Sequence, residues 1–566
     1  YLKGGDFSHS EGEAPVPTVR FNGSRDRSTN YELPDLEDVI PYFDSENGMV
    51  YLKNKKTKKE EWIHPSKTGF TFDLINRKVM TLVQDAAFLY WVTGEEKYAD
   101  FVAPVFFTYI DGMFYREAPF DLENSKQQRL SGLATFEVIH EQIAVLLAVT
   151  YDFLQPYFSK KKYNLNNTAA VFQKWGDQII KNGVAENNWN LFQARILTYI
   201  ALALDKNDNY DNGKGQEYFL EQIFEISTER QIALEESLLE YDYQTGIWPE
   251  SSTYSLMVTK SLLQIVTLLD NVTNQNELSN YPTLEKVVLA SFQYLFPSGY
   301  SVGFGDAHHV IITPEIFELL VANYHKYNQN NKEAEMSLFL NQMIENKQYN
   351  RSGGDFFKLF FYVDMLRNDS NTDLQEVTKT LISPTFYTPN VSLFIQRMGI
   401  GDNAMMVATS GSFGNHTHAN GISIELFANN WVLGPDSGIT TSYWHPDYKD
   451  YYSKFPAHNT VVVDGISNYG AMEGYHPFTL HNHYPKTGFD TTIFDKITLS
   501  NVSFVEPKTI SDQQRLTAQI KSESGKGYIL DVFRSRKKVQ SAKKNEYFYH
   551  NIGQSLNILD SNEKVL

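Results

Sequence analysis

The 566-residue chain contains no cysteine. Disulfide staples and thiol catalysis are excluded on that ground. It also lacks any apolar run approaching the roughly 20 residues a membrane-spanning helix needs. Basic residues are in deficit: 50 Lys and Arg stand against 68 Asp and Glu, a formal net charge of −18. A surface of that sign argues against a nucleic-acid binder. It does not exclude a polyanionic substrate held in a locally basic cleft. The chain begins at Tyr1 rather than Met, which fits removal of a signal peptide and a periplasmic or secreted location.

What is present is a large apolar and aromatic fraction. Hydrophobic residues make up 42% and aromatic residues 14%, with 35 Tyr and 7 Trp. The length suits two or three domains. Residues 1–68 are polar and rich in Pro and Gly and read as an irregular N-terminal arm. From 69 to 375 the apolar spacing is helical. A helix pair broken at Thr93-Gly94 is followed by blocks at Phe136–Leu154, Thr168–Asn182, Leu191–Leu204, Gln216–Leu239, Ser255–Val272, Leu284–Leu295, Pro314–Asn328 and Glu333–Asn346. Repeated helical hairpins of this kind suggest an incomplete (α/α) toroid. Near Ser383 the period changes to that of strands. The runs VSLFIQRM, AMMVATSG, ISIELFA, WVLG, TVVVDG, VSFVEP and GYILDVFRSR predict an antiparallel β-sandwich over 376–566. The fold class expected is therefore multidomain α+β, toroid first and sandwich second.

The stretch from Gly411 to Gly465 holds the densest chemistry. It reads GSFGNHTHANGISIELFANNWVLGPDSG, then a Tyr-rich loop, then FPAHNTVVVDG. His416 and His418 lie two apart in a strand-like run, which would aim both imidazoles to one face. Asp436 follows a second strand and His458 opens a third. His and Asp are ligands that borderline divalent ions such as zinc take. The same residues equally suit a purely structural part, as buried hydrogen-bonded groups stitching strands together.

HTHAN, then PDSG, then AHNTVVVDG resembles the β-domain signature of the heparinase II/III-like polysaccharide lyases, with the three pieces in order. The resemblance extends over most of the chain, from about residue 70. It implies a divalent metal, zinc by expectation, held by His418, Asp436 and His458, and a site histidine at His416. In ENNWNLFQARI it implies an Asn that hydrogen-bonds a uronate carboxylate. Asn188 is the residue carried over, with Asn187 and Asn190 as neighbours. Trp189 stands where some relatives carry His, so no His-based part is assigned there. A helix-capping part for one of these Asn residues is the plain alternative. Trp248, Pro249, Glu250 and Tyr254 match a Trp-Pro-Glu…Tyr segment, which makes Tyr254 the expected acid or base. Without the resemblance, Tyr254 reads as a packing residue on a Ser-capped helix. SGYSVGFGDAHH resembles a Gly-Phe-Gly-Asp loop in which Asp306 fixes loop geometry. Tyr452 is a second tyrosine expected near the cleft, and Arg129 a candidate for binding a substrate carboxylate.

The implied chemistry is β-elimination of a uronate polymer such as alginate or a glycosaminoglycan. A neutralised carboxylate makes the C5 proton removable, one group takes it, and another protonates the leaving O4. Asn188, Tyr254 and His416 supply these parts, with Tyr254 and His416 meeting between the helical and β domains. Trp248 and Glu250 are expected to line the substrate site. A metal would brace the β-domain rather than touch sugar. The competing readings are a glycoside hydrolase, which needs two opposed carboxylic acids and has Glu250 and Asp306 as its pair, and a non-catalytic sugar binder. The expected partner is an acidic polysaccharide or oligosaccharide, with a homodimer as the other association considered.

Overall fold

The computed structural model describes residues 29–35, 50–63, 67–68, 71–114, 142–185, 187–308, 313–352, 356–368, 377, 381–439, 445–469, 475–487, 496–523, 527–538, 544–553, 557, 559–562 and 564–565. Arg129 lies outside them. The chain divides into two compact units, Tyr1–Leu238 and Leu239–Leu566.

The first unit opens with a hairpin, β1 (Val50–Lys53) paired with β2 (Glu60–Ile63). The hairpin falls within the stretch expected to be irregular. Helices Thr71–Thr93, Glu96–Phe114, Ile143–Lys161, Asn166–Asn182 and Asn187–Ala203 follow. Their packing is read from the sequence period. In Asn166–Asn182 the buried Val171, Phe172, Trp175 and Ile179 recur along one helical stripe. The block expected as one helix over Gln216–Leu239 is broken into Gln216–Phe224 and Leu234–Ser237. Between them Thr228 Oγ1 donates to Ile180 O at 2.9 Å and accepts from the backbone N–H of Gln231 at 3.0 Å. Such local side-chain bonds offer the backbone an alternative to helix.

In the second unit, helices Ser252–Thr273, Pro282–Ala290, Pro314–Lys326 and Asn330–Glu345 precede the sheets. Helical hairpins of an incomplete (α/α) toroid, then antiparallel β-sheets, make up the chain. One sheet is a five-stranded meander: β3 (Thr385–Thr388), β4 (Leu393–Met398), β5 (Met405–Ser410), β6 (Ser423–Ala428) and β7 (Trp431–Gly434). Every residue of β4 and β5 is buried. Both faces are covered, which is why these strands read as continuous apolar runs rather than alternating ones. On one face Leu393, Ile395 and Met406 meet Tyr294, Phe296 and Phe304. On the other, Phe394 meets Val462, Phe478, Val502 and Phe504.

That second face is covered by a further sheet. Strand β8 (Val461–Val463) pairs with a late strand, while β9 (Thr479–Tyr484), β10 (Ile497–Glu506), β11 (Ser511–Lys521) and β12 (Gly527–Lys537) form a sheet in the order β12-β11-β10-β9. The partner of β8 is β13 (Asn545–Tyr547). Strand β11 turns Arg515 into the interior with no exposed side-chain surface. Its guanidinium donates to Asp531 at 2.9 and 2.8 Å and to the carbonyls of Ile422 and Asn459 at 2.7 and 2.6 Å. The last two bonds tie the sheet to the segments just before β6 and β8. Among the described residues no helix is long and apolar enough to cross a membrane.

Because Arg515 is fully engaged, removing it would take two donors from Asp531 and leave two buried carbonyls without theirs. Arg515→Ala should destabilise the protein by about 3 kcal/mol or more, read as a lower denaturant midpoint at unchanged slope. A loss under about 1 kcal/mol would mean the guanidinium merely fills space.

Candidate active site and metal cluster

Three loops of the second unit meet at one buried carboxylate. The segment Phe304–Asp306 is a turn, held at its base by Phe296 and Phe304 in the sheet core. Gly303 N–H donates to Glu425 Oε1 on β6 at 2.7 Å, and the other oxygen of Glu425 accepts from Asp436 N–H at 3.2 Å. One buried glutamate therefore fixes both the Asp306 loop and the Asp436 loop. Asp306 N–H donates to His416 O at 2.8 Å, and Ile439 N–H to Ala307 O at 3.1 Å. A Cβ on Gly305 would sit 2.3 Å from His416 O, and one on Gly438 2.0 Å from Ala307 O. Both positions also have positive φ, +68° and +54°. Only glycine permits backbones to approach this closely.

The His416–His418 run is a turn, not the strand expected. His416 has φ +57° and Gly414 φ +87°, and the stretch is anchored by Asn415 N–H donating to Pro249 O at 2.9 Å. The two imidazoles nonetheless converge, because both reach Asp306. His416 Nδ1 lies 2.9 Å from Asp306 Oδ2, and His418 Nε2 lies 2.8 Å from Asp306 Oδ1. Tyr448 OH donates to the same Oδ1 at 2.8 Å. Burial by itself would raise the Asp306 carboxyl, but the hydrogen bonds from His416 and His418 prevail and hold it at about 2. Tyr448 is pushed well above its ordinary value by burial and by the Asp306 charge.

A second cluster adjoins the first through His418. Its ring and that of His458 are 5.5 Å apart. His458 Nδ1 lies 2.6 Å from Asp436 Oδ2. One ligand-type atom from each of His418, Asp436 and His458 falls within 4.8 Å of the others, and all three residues are buried. His418 Nδ1 and His458 Nε2 are buried with no hydrogen-bond partner among the described residues. Two orphaned imidazole nitrogens beside a carboxylate fit a divalent cation: neutral imidazole offers a lone pair where it carries no hydrogen. The Asp436 carboxyl would be raised by burial but is held low, first by His458. Asn459 locks this corner, donating to Ile424 O at 3.0 Å and to Gly434 O at 3.4 Å.

The wetter side belongs to Tyr254 and His416. Tyr254 lies on the first turn of Ser252–Thr273 and stacks on His416, ring centres 3.7 Å apart and planes 7° from parallel. The His416 side chain is 14% exposed, against none for His418. The other expected residues fare differently. Trp248 is 1% exposed and packs on Tyr241 at 4.9 Å, and Glu250 is fully buried. Both are interior residues, where the expectation had them lining the substrate site. Tyr452 is half-buried, with its described ring contact to Tyr451 at 5.4 Å. In the first unit, Asn188 is buried near the start of Asn187–Ala203, and Asn187 has φ +59°. Asn190 is a structural residue. Its amide donates to Ile232 O at 2.9 Å and Ser237 Oγ at 2.7 Å and accepts from Ile232 N–H at 2.9 Å. With both amide ends engaged it is not free for substrate. A separate groove, lined by Gln244, Lys286, Gln293 and Tyr387 among others, involves none of these site residues.

Two partners escaped the sequence reading. Asp306 was expected to shape its loop, not to join two histidines 110 and 112 residues away. Tyr448, four residues before Tyr452, is the tyrosine of that loop that meets the carboxylate.

Residues 384–526 match the heparinase II/III-like C-terminal family, and residues 244–374 match the second domain of endo-acting ulvan lyase. The chain is 23% identical over 551 residues to an endo-acting ulvan lyase of Formosa agariphila, covering 86% of this chain. It spans 62% of that relative's length. Among solved structures, a heparinase III with methylated lysines superposes with a TM-score of 0.50 at 14% identity, over 80% of this chain and 62% of the other. A heparan sulfate lyase from Pedobacter heparinus gives 0.47 at 16% identity, over 80% of this chain and 60% of that one. The region 384–526 thus resembles the C-terminal domain of the heparinase II/III-like polysaccharide lyases.

The depressed Asp306 carboxyl makes a prediction about acid. Its folded value of about 2 lies below the ordinary 3.8, so its charge contributes stability that is present above about pH 4 and lost as pH falls toward 2. The contribution is on the order of 2 kcal/mol. The stability gap between wild type and Asp306→Asn, from denaturant unfolding, should narrow between pH 4 and 2. A gap that stays constant there would show that the Asp306 charge is not what matters.

Proposed function

We propose that the protein cleaves a uronate-containing polysaccharide by β-elimination, with Tyr254 and His416 handling the protons. The carrying observation is their parallel stack at 3.7 Å beside a buried carboxylate that holds His416 by Nδ1. A tyrosine with an ordinary value near 10 is a poor base at neutral pH. Stacked on an imidazole that can become cationic, its phenolate gains electrostatic support. One of the pair takes the C5 proton and the other supplies a proton to the leaving O4. The resemblance assigns carboxylate neutralisation to Asn188, which would stabilise charge only as it develops.

Among uronate polymers, ulvan is the first choice over alginate and heparan sulfate. The support is the match of residues 244–374 to the second domain of an endo-acting ulvan lyase, a stretch that includes Tyr254 and Asp306. The hydrolase alternative weakens on burial. Glu250 is fully buried, and Asp306, 1% exposed, is bound by two histidines. Neither can flank a glycosidic bond as an acid or as a base for water.

A panel of ulvan, heparan sulfate and alginate, assayed for the ultraviolet absorbance of a 4,5-unsaturated uronate, tests the reaction. Product should appear with ulvan. Reducing ends without the absorbance would indicate a hydrolase. On the active polymer, Tyr254→Phe should keep the fold and lower kcat by at least about 100-fold. Asn188→Ala should lower kcat more than it raises KM. Turnover near wild type for Tyr254→Phe would reduce Tyr254 to packing and direct the search to Tyr448 and Tyr452.

We further propose that His418, Asp436 and His458 hold one divalent cation, zinc by ligand preference. When bound it would supply local positive charge and cross-link the three loops, bracing the β-sandwich. Elemental analysis of protein purified without chelator should find close to one zinc per chain, and chelation should lower the melting temperature. Metal-free protein of unchanged stability and activity would remove the cation from the account.

A further inference from the structure

We propose that Asp306 is the positioning residue that sets the tautomers of two histidines at once, His416 on the reacting side and His418 on the cation side. The inference rests on the reading of His416 and His418 above and adds to it the residue that couples the two. The geometry is specific in one respect: the carboxylate meets opposite nitrogens of the two rings, Nδ1 of His416 and Nε2 of His418. An ionised carboxylate only accepts hydrogen bonds. The nitrogen facing it must therefore carry the hydrogen, and in a neutral imidazole the other nitrogen then carries the lone pair. In His416 the lone pair is thereby placed on Nε2. His418 is left with its Nδ1 lone pair, the buried atom that has no partner among the described residues. One carboxylate thus presents one ring to chemistry and the other to a cation.

The surroundings hold Asp306 in this position. Its backbone N–H is bonded to His416 O, and the glycine before it admits no Cβ against that same oxygen. Backbone and side chain of Asp306 therefore grip His416 together. Oδ1 also accepts from Tyr448 OH, so three donors share two oxygens. An amide could not serve all three in the same way, because it has one accepting oxygen and an NH2 that only donates. An isosteric Asp306→Asn must leave at least one histidine facing a donor, and that ring must flip its tautomer or lose the bond.

The test has two arms. In the first, Asp306→Asn is purified and compared with wild type for metal content and for kcat and KM on the active polymer. Metal affinity should fall about 10- to 100-fold, as when the partner of a ligating histidine is removed. At zinc concentrations that restore loading, kcat should stay down by about 100- to 10,000-fold with KM changed by less than about threefold, the pattern of a wrong histidine tautomer. A folded Asp306→Asn with wild-type metal content and kcat would overturn the proposal. In the second arm, wild-type protein labelled with 15N-histidine is measured by NMR above pH 8. Signals are assigned from those lost in His416→Gln and His418→Gln. His416 should read as the Nδ1–H tautomer and His418 as the Nε2–H tautomer. Either histidine in the opposite form overturns the proposal, whether or not the asparagine variant folds. Because the NMR and metal arms need no substrate, a failure of the lyase reading leaves them able to decide.

Discussion

A carboxylate taken out of water keeps its charge only if donors replace the lost solvent. Asp306 is 1% exposed, and this requirement shapes what surrounds it. Two imidazoles and a phenol converge on its oxygens from segments far apart in the chain. For them to arrive, the 303–308 loop must press on the 414–418 turn and on the 436–439 turn. Gly305 and Gly438 allow that pressure, and Glu425 holds two of the loops in common. The core of the sandwich answers to the same need. Phe296 and Phe304 are buried against β4 and β5, so the loop bearing Asp306 leaves the sheet at a fixed point.

The helices of the chain were legible because their apolar stripes repeat at helical spacing, and the strands β4 and β5 because two covered faces make their runs largely apolar. Strand β11 was not. Its buried side includes Ser511, Gln513, Arg515, Thr517 and Gln519, residues that carry no apolar period. Their burial is made tolerable by partners on neighbouring strands, such as the Arg515–Asp531 pair and the Ser500–Thr517 hydroxyls at 2.8 Å. A pattern that depends on cross-strand partners is invisible to a reading along one segment. The break within Gln216–Leu239 was missed for a related reason: Thr228 and Asn190 bond the intervening backbone across distances in sequence that periodicity ignores.

At the site, residue types pointed to histidines and an aspartate that the structure does bring together, while the reason given for their convergence was wrong. Two histidines at i and i+2 suggested a strand, yet His416 is in the left-handed region. The rings come together through a shared acceptor instead of a shared sheet face. Aromatic and acidic residues were read too generously as surface groups. Trp248 and Glu250 sit in a motif next to Tyr254, and adjacency suggested a common substrate, whereas their neighbours bury them. What separates Tyr254 from both is its position one turn into a helix, with its ring over the partly exposed face of His416.

On the proposed reading, the gradient of exposure across these residues lets one small site serve two incompatible needs. A cation held by neutral imidazoles wants a dry, rigid, fully coordinated corner, because any lost ligand there leaves a buried polar atom unpaired. Proton transfer to and from a polymer wants a ring that reaches solvent and can change its charge. His418 and His458 show no exposed side-chain surface, and His416 shows 14%. Between the two regimes stands one carboxylate that touches a ring on either side. Its two oxygens are only one carbon apart, so a displacement of either histidine is felt by the other through a rigid group. On the proposed reading, activity on the open side is in this way tied to order on the closed side, with no moving part required between them.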